Sequence, residues 1–285
     1  MVLAKLTSLQ YIARVAFHGE LGSFSEEAAL RLWPHAELVP LRTVAGVARA
    51  VLLGEADAGV LPVENTIAGG VDAALDAIAS AQNIYAVAET ILNIRQCLLA
   101  LPGAALSGIE VVESHPVALA QCASFLARLP HVRERAAFDT AGAARAVSES
   151  RDPRRAAIAS AVAARRYGLA ILADHIEDRP DNQTRFLAIS RSPVRVEQDT
   201  PARTSLMFTT ANEPGALVRV LEPVAWHQLN LSRLEARPGD KPWTYRFSAD
   251  IDHPAGDPRL DAVLALLEKV TQTCRVLGTY ARATS

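Results

Sequence analysis

The chain has 285 residues, half of them apolar and only 5% aromatic, with a formal net charge of −2. That length suits two or three folding units rather than one compact domain. Interspersed charges without a basic stripe exclude the electrostatic footprint of a nucleic-acid binder.

Cys97, Cys122 and Cys274 are too far apart for a disulfide framework or a metal-ligand spacing, which points to a reducing, cytoplasmic setting. The first fourteen residues alternate apolar and polar and form no secretory apolar region, and no run is long enough to span a bilayer. From residue 15 onward, short apolar runs alternate with amphipathic, Ala-rich stretches, the pattern of an α/β domain. Residues 15–17 read as a strand, 19–22 as a turn and 23–32 as a helix. A strand over 37–41 leads to Thr43, which caps a helix over 44–53, and a strand over 59–63 ends at Glu64-Asn65-Thr66. Strands follow at 84–89, 94–100 and 109–113, and Ser114 caps a helix running to residue 129. A strand over 135–138 precedes Thr140, which caps a helix to residue 148. A strand over 156–159, a helix to residue 167, a loop over 178–183 and a strand over 186–189 complete this part.

Residues 193–203 lack apolar periodicity and read as a linker. Beyond it come a strand (204–209), a helix (214–228), strands over 229–236 and 243–251, a helix (258–273) and a last strand (274–280). That order, βαββαβ, is the ferredoxin-like split unit.

Four hydroxyl residues stand where a strand runs into a helix: Ser25, Thr43, Ser114 and Thr140. Each is read as an N-cap satisfying an orphan backbone N–H. The same helix ends carry free donors and a positive dipole end that suit a carboxylate or phosphate. In an open α/β sheet such ends gather at the carboxyl edge of the strands, where ligands bind. Glu64-Asn65-Thr66 puts three polar side chains where a strand leaves the sheet, either as a loop satisfying its own backbone or as a group holding a hydroxy acid. In Asn182-Gln183-Thr184-Arg185-Phe186, Arg185 either pairs a substrate carboxylate or forms an ion pair with Asp178 or Glu177. Nucleotide, zinc and esterase motifs are absent, and no metal or cofactor is expected. His115 reads as a ring packed beside Pro116, and Cys97 and Cys122 as inert packing.

These residues resemble a known family. Gly19-Glu20-Leu21-Gly22-Ser23-Phe24-Ser25-Glu26-Glu27-Ala28-Ala29 is similar to the first signature of prephenate dehydratases. Leu61-Pro62-Val63-Glu64-Asn65-Thr66-Ile67-Ala68-Gly69-Gly70-Val71 is similar to the second. Ser114-His115-Pro116-Val117-Ala118-Leu119-Ala120-Gln121-Cys122 resembles the third and Thr184-Arg185-Phe186 the fourth. Asn212-Glu213-Pro214-Gly215-Ala216-Leu217-Val218 and Asn230-Leu231-Ser232-Arg233-Leu234-Glu235-Ala236-Arg237-Pro238 resemble an ACT regulatory module.

The resemblance implies a catalytic unit over 10–192, built as two periplasmic-binding-protein-like lobes with the second at about 94–182, and an ACT domain over 204–282. It implies decarboxylating dehydration of prephenate to phenylpyruvate in L-phenylalanine biosynthesis, without a cofactor. Thr184 would donate to the leaving hydroxyl, with Glu64 and Asn65 as catalytic partners. Ser25, Thr66, Ser114, Gln121, Thr140, Arg185 and Phe186 would bind substrate. L-Phenylalanine would bind at Asn212, Gly215, Ala216, Leu217, Asn230 and Leu231, in a homodimer or homotetramer joined through ACT domains. Ala236 stands where the family usually has Ser, which implies a weaker effector response. A fused chorismate mutase activity is not expected. Arogenate dehydratase and a non-catalytic anion sensor are the alternative readings; a membrane or nucleic-acid partner is not expected.

Overall fold

The computed structural model describes residues 12–239 and 243–283, so the expectation for the first eleven residues lies outside it. Three sheets organise the chain. The first lobe runs through β1 (Arg14–His18), α1 (Phe24–Leu32), β2 (Glu37–Leu41), α2 (Val44–Leu53), β3 (Ala58–Asn65), β4 (Gly69–Gly70), α3 (Asp72–Ser80) and β5 (Tyr85–Asn93). Val15, Ala16 and Phe17 are all fully buried, because β1 has helices on both faces and must be apolar on both. α2 starts at Thr43, whose hydroxyl accepts from Gly46 N, and ends at Gly54 in the left-handed region. No element is assigned to α3 from sequence; its buried stripe is only Ala74, Leu75 and Ile78.

The second lobe comprises β6 (Cys97–Ala100), β7 (Val111–Ser114), α4 (Pro116–Ala120), α5 (Ala123–Leu126), β8 (Arg133–Ala136), α6 (Thr140–Ser150), β9 (Arg155–Ala159), α7 (Ala161–Tyr167) and β10 (Ala170–Ala173). The single helix expected from Ser114 to residue 129 is two short ones. Asp178 N donates to the Gln121 carbonyl (2.7 Å), and the Asp178 carboxylate accepts from Ser124 N (3.0 Å), so a loop residue takes over bonds at the break. The chain then returns as β11 (Gln183–Ser190), antiparallel between β3 and β5, giving the order β2-β1-β3-β11-β5 with β4 beside β3.

Strand β12 (Pro201–Thr209) opens the third unit, so the linker ends at residue 200 rather than 203; proline is tolerated at the first position of a strand. α8 (Ala216–Trp226), β13 (Asn230–Pro238), β14 (Tyr245–Pro254), α9 (Pro258–Val270) and β15 (Thr273–Ala281) follow, in the sheet order β13-β14-β12-β15. The molecule is therefore a two-lobed, periplasmic-binding-protein-like α/β unit followed by a βαββαβ ACT fold. One face of the third sheet packs Leu206 and Phe208 against Val220, Val224, Val263 and Leu267 of its helices. The other face sends Met207, Leu277 and Tyr280 into the first lobe's core beside Ile78, Ile84 and Ala86. Gly278 makes that approach possible, since a side chain there would collide with the Ala86 carbonyl.

Arg185 crosses this junction. Only 6% exposed, it meets Asp250 of β14 at 2.6 Å and Glu89 of β5 at 3.2 Å. Glu89 also pairs with Arg203 of β12 at 3.1 Å. Burial opposes the charge on Arg185, but Asp250 and Glu89 more than offset it and hold its pKa above the ordinary value. Its expected partners lie elsewhere: Glu177 pairs with Arg95 at 2.8 Å. Among the described residues, no helix is long and apolar enough to cross a membrane. Asp250→Ala removes the shortest ion pair of a buried guanidinium and is expected to lower stability by about 3–5 kcal/mol, read from urea denaturation.

Candidate active site

The cleft between the lobes encloses about 320 Å³, a volume suited to a small molecule. The first lobe contributes His18, Gly19, Ser23, Phe24, Ser25, Pro62, Asn65, Ala68, Val71, Thr184 and Phe186. The second contributes His115, Val117, Ala118, Gln121, Asp139 and Thr140, with Ile94 and Gln96 from the crossover. A larger groove of about 670 Å³ runs along α1 and α7, but it contains none of the motif residues proposed to bind substrate.

Strand geometry decides which motif residues reach the cleft. On β11, Thr184 and Phe186 face it, while Arg185 points the other way, as alternation requires. On β3 the register shifts: Arg185 pairs with Glu64 but Phe186 pairs with Pro62, so an extra residue is accommodated at Val63. This bulge is what lets both Pro62 and Asn65 line the cleft although they are three positions apart. Glu64 is turned with Arg185 toward the third unit, 3.3 Å from Arg185 and 3.9 Å from Arg233.

Asn65 is the centre of the arrangement. Its Nδ2 lies within donating distance of Thr184 Oγ1 (2.9 Å), Asn182 Oδ1 (2.8 Å) and the Gln183 carbonyl (3.0 Å). Its Oδ1 accepts from the N–H groups of Ile67 (2.9 Å) and Ala68 (2.8 Å). Thr184 Oγ1 is one of three acceptors around the two Nδ2 hydrogens, and an oxygen that accepts there keeps its own O–H free to donate.

Several expectations need correction. Glu64 and Arg185 do not line the cleft, since the strands turn them to the opposite face. Thr66 is spent on the chain itself, donating to the Asp181 carbonyl (3.0 Å) and accepting from Gln183 N (2.9 Å). Ser114 is fully buried and donates to the Ile158 carbonyl at 2.6 Å; the cap of α4 is His115, whose Nδ1 accepts from Val117 N. Thr140 lines the cleft but is the first helical residue, capped by Asp139, which accepts from Gly142 N at 2.6 Å. Ser25 likewise sits inside α1, whose cap is Ser23. Gln121 does reach the cleft, from the C-terminus of α4, with its Oε1 accepting from Asn182 at 3.2 Å.

His18, Ser23, Phe24, Gln96 and Asp139 were not read from sequence as site residues, and His115 was read as packing. His18 carried a usable signal: it ends β1, at the edge where ligands bind. Burial pushes the pKa of its imidazole below the ordinary value, against raising effects from the Arg42 backbone and Asp139. None of the described lining residues is Lys or Arg. An anion here must rely on hydroxyls, amides and the N-termini of α1 and α6, which enter from opposite lobes.

Three contacts hold the lobes together beside the cleft. Ser160 Oγ donates to the Gly22 carbonyl (2.8 Å), Tyr167 Oη donates to the Leu21 carbonyl (2.5 Å), and Arg166 pairs with buried Glu26. Gly22 has φ +91, and a side chain there would press on Ala163 of α7. The effector-motif residues lie far along the chain. Gly215 is the left-handed cap of α8, with exposed Asn212 before it, buried Ala216 and half-buried Leu217 after it. Asn230 and Leu231 begin β13, the edge strand of the third sheet.

With this geometry in view, comparison with known proteins is informative. The family model described as prephenate dehydratase matches residues 15–194. "Prephenate dehydratase" of Amycolatopsis methanolica is 38% identical over 95% of this chain and 90% of its own length. "Arogenate dehydratase 2" of Petunia hybrida is 36% identical over 94% of this chain and 71% of its own. A solved prephenate dehydratase in complex with L-Phe from Arthrobacter aurescens superposes with a TM-score of 0.88 at 36% identity, covering 95% of this chain and 90% of that one. A structure named "GqqA- a novel type of quorum quenching acylases" reaches 0.87 at 32% identity, covering 95% and 98%.

The carboxamide of Asn65 joins β3, β11 and the loop beyond β3 whatever the ligand. Asn65→Leu is expected to cost about 1–3 kcal/mol of stability through the polar groups it leaves unpaired, measured by thermal or urea unfolding.

Proposed function

This chain belongs to the prephenate dehydratase family, and on that premise we propose that the interlobe cleft converts prephenate to phenylpyruvate, carbon dioxide and water. In that reaction the ring carboxylate leaves as carbon dioxide, its bonding pair enters the ring, and the ring hydroxyl departs with a proton as water. Aromatisation makes the overall change downhill, so the enzyme's task is to orient a dianion and assist a poor leaving group.

The observation that carries this reading is the Asn65–Thr184 hydrogen bond at the cleft surface. It supports the reading in which the Thr184 hydroxyl donates to the departing oxygen. A threonine is too weak an acid to surrender its proton outright, so it acts by hydrogen bonding as negative charge builds on that oxygen. Ser23, Ser25, Thr140 and the helix N-termini of α1 and α6 hold the carboxylates, while Phe24, Pro62 and Phe186 receive the ring. Glu64 and Arg185 belong to the junction with the regulatory unit and take no part in proton transfer. The arogenate dehydratases among the relatives favour arogenate, which has an amino group in place of the keto group, as a second substrate. An acyl-transfer reading needs a nucleophile beside a base, and no hydroxyl lining the cleft is hydrogen-bonded to a histidine among the described residues.

The third unit supplies feedback in this proposal, with the catalytic part at 10–192 and the regulatory part extending to 282. L-Phenylalanine binds where Asn212 and Gly215-Ala216-Leu217 of one subunit meet Asn230-Leu231 of another, in a cytoplasmic homodimer or dimer of dimers. The open edge of β13 and the exposed Val218, Trp226 and Leu234 support such pairing.

Thr184→Ala is expected to lower kcat by roughly 10²–10⁴-fold with an unchanged circular dichroism spectrum, while Thr184→Ser keeps most of the activity. Near-wild-type turnover in the alanine variant removes the donor assignment. L-Phenylalanine at millimolar concentration is expected to shift substrate affinity by roughly 5–150-fold. Calorimetry showing no heat, with no inhibition in the phenylpyruvate assay, removes the regulatory proposal.

A further inference from the structure

Gln96 holds a position that the proposed chemistry does not use. It lies on the crossover into the second lobe, lines the cleft and is only 2% exposed. Its main chain is clamped: the N–H donates to Glu177 Oε2 at 2.9 Å, and the carbonyl accepts from Ile176 N at 3.1 Å. Glu177 is itself held by Arg95. Yet no donor among the described residues reaches Gln96 Oε1, although the atom is buried. An unmatched acceptor on a rigid backbone costs free energy that a ligand can recover.

Position along the chain indicates which end of the ligand Gln96 meets. Thr184 pairs with Leu92 on β5, and Gln96 follows four residues on, up to roughly 13 Å away along an extended chain. With the leaving hydroxyl at Thr184, that span leaves room for the substrate ring between the two residues, so the three-carbon side chain at the other end of the ring can reach Gln96. A carboxamide presents either its N–H or its carbonyl by a half-turn of its last torsion. The N–H matches the keto group of prephenate, and the carbonyl matches the ammonium group of arogenate.

We propose that Gln96 is a specificity-determining residue that contacts the substrate's keto or amino side chain and lets one cleft accept both. This rests on the cleft being a dehydratase site. A charged carboxylate at this position repels the keto oxygen and attracts the ammonium, whereas a thioether of similar shape offers neither bond.

The test is steady-state kinetics of wild type, Gln96→Glu and Gln96→Met with prephenate and with arogenate, on proteins whose circular dichroism and thermal midpoints show them folded. Gln96→Glu is expected to raise the arogenate-to-prephenate ratio of kcat/KM by roughly tenfold or more. Gln96→Met is expected to raise KM for prephenate with kcat little changed. If both folded variants keep that ratio and the prephenate KM within twofold of wild type, the proposal is overturned. A wild-type protein inactive on both substrates instead overturns the dehydratase reading, so the two failures are distinguishable.

Discussion

A guanidinium buried as deeply as that of Arg185 must find counter-charges close by, and here they come from two sheets. Glu89 belongs to the first lobe and Asp250 to the third sheet, so neither unit can shift without disturbing the same cation. The residue before it, Thr184, faces the cleft. Alternation along one strand thus places the proposed leaving-group donor on one side and the link to the third unit on the other. Strand β11 is also the segment by which the chain re-enters the first lobe after completing the second. Movement of the third sheet can therefore reach the Thr184 hydroxyl through a single strand, without a chain of intermediate residues. Such a link transmits an effector signal only if the effector favours one arrangement of these units.

In the proposed reaction the cleft holds an anion without a lysine or arginine among its described lining residues. Fixed dipoles and neutral donors replace formal charge, with helix ends entering from both lobes and hydroxyls and amides between them. In that proposal a dianionic substrate meets donors already oriented, while four arginines make ion pairs away from it. Arg185, Arg203 and Arg233 brace the junction with the third unit, and Arg166 joins the lobes through Glu26. The apolar surfaces of Phe24, Pro62 and Phe186 suit a ring that becomes aromatic as it reacts.

The bulge at Val63 connects these themes. Without it, Pro62 and Asn65 would face opposite sides of β3. With it, both reach the cleft while Glu64 turns to the junction beside Arg185. Asn65 then satisfies two backbone N–H groups of the following loop and orients Thr184. One local irregularity therefore sets the direction of Pro62, Glu64 and Asn65.

The sequence by itself determined the class of fold, the order of nearly all its elements and the family. Apolar runs, helix punctuation and the βαββαβ order are local properties, and the signature motifs are contiguous. It also brought Asn65, Gln121, Thr140, Thr184 and Phe186 forward as candidates, all of which the structure gathers in the cleft. It did not decide which motif residues face the ligand, because that depends on a bulge whose register is set by pairing with a strand more than a hundred residues away. The division of one expected helix into α4 and α5 likewise depends on Asp178, from a distant loop, taking bonds that a continuous helix would make itself. Nor does spacing reveal that Thr66 and Ser114 are consumed by backbone partners, that Arg185 finds its carboxylates in another sheet, or that Gln96 is left with an unpaired acceptor. Hydrogen-bond satisfaction in a buried setting is a property of the whole packing arrangement, and only the tertiary structure fixes it.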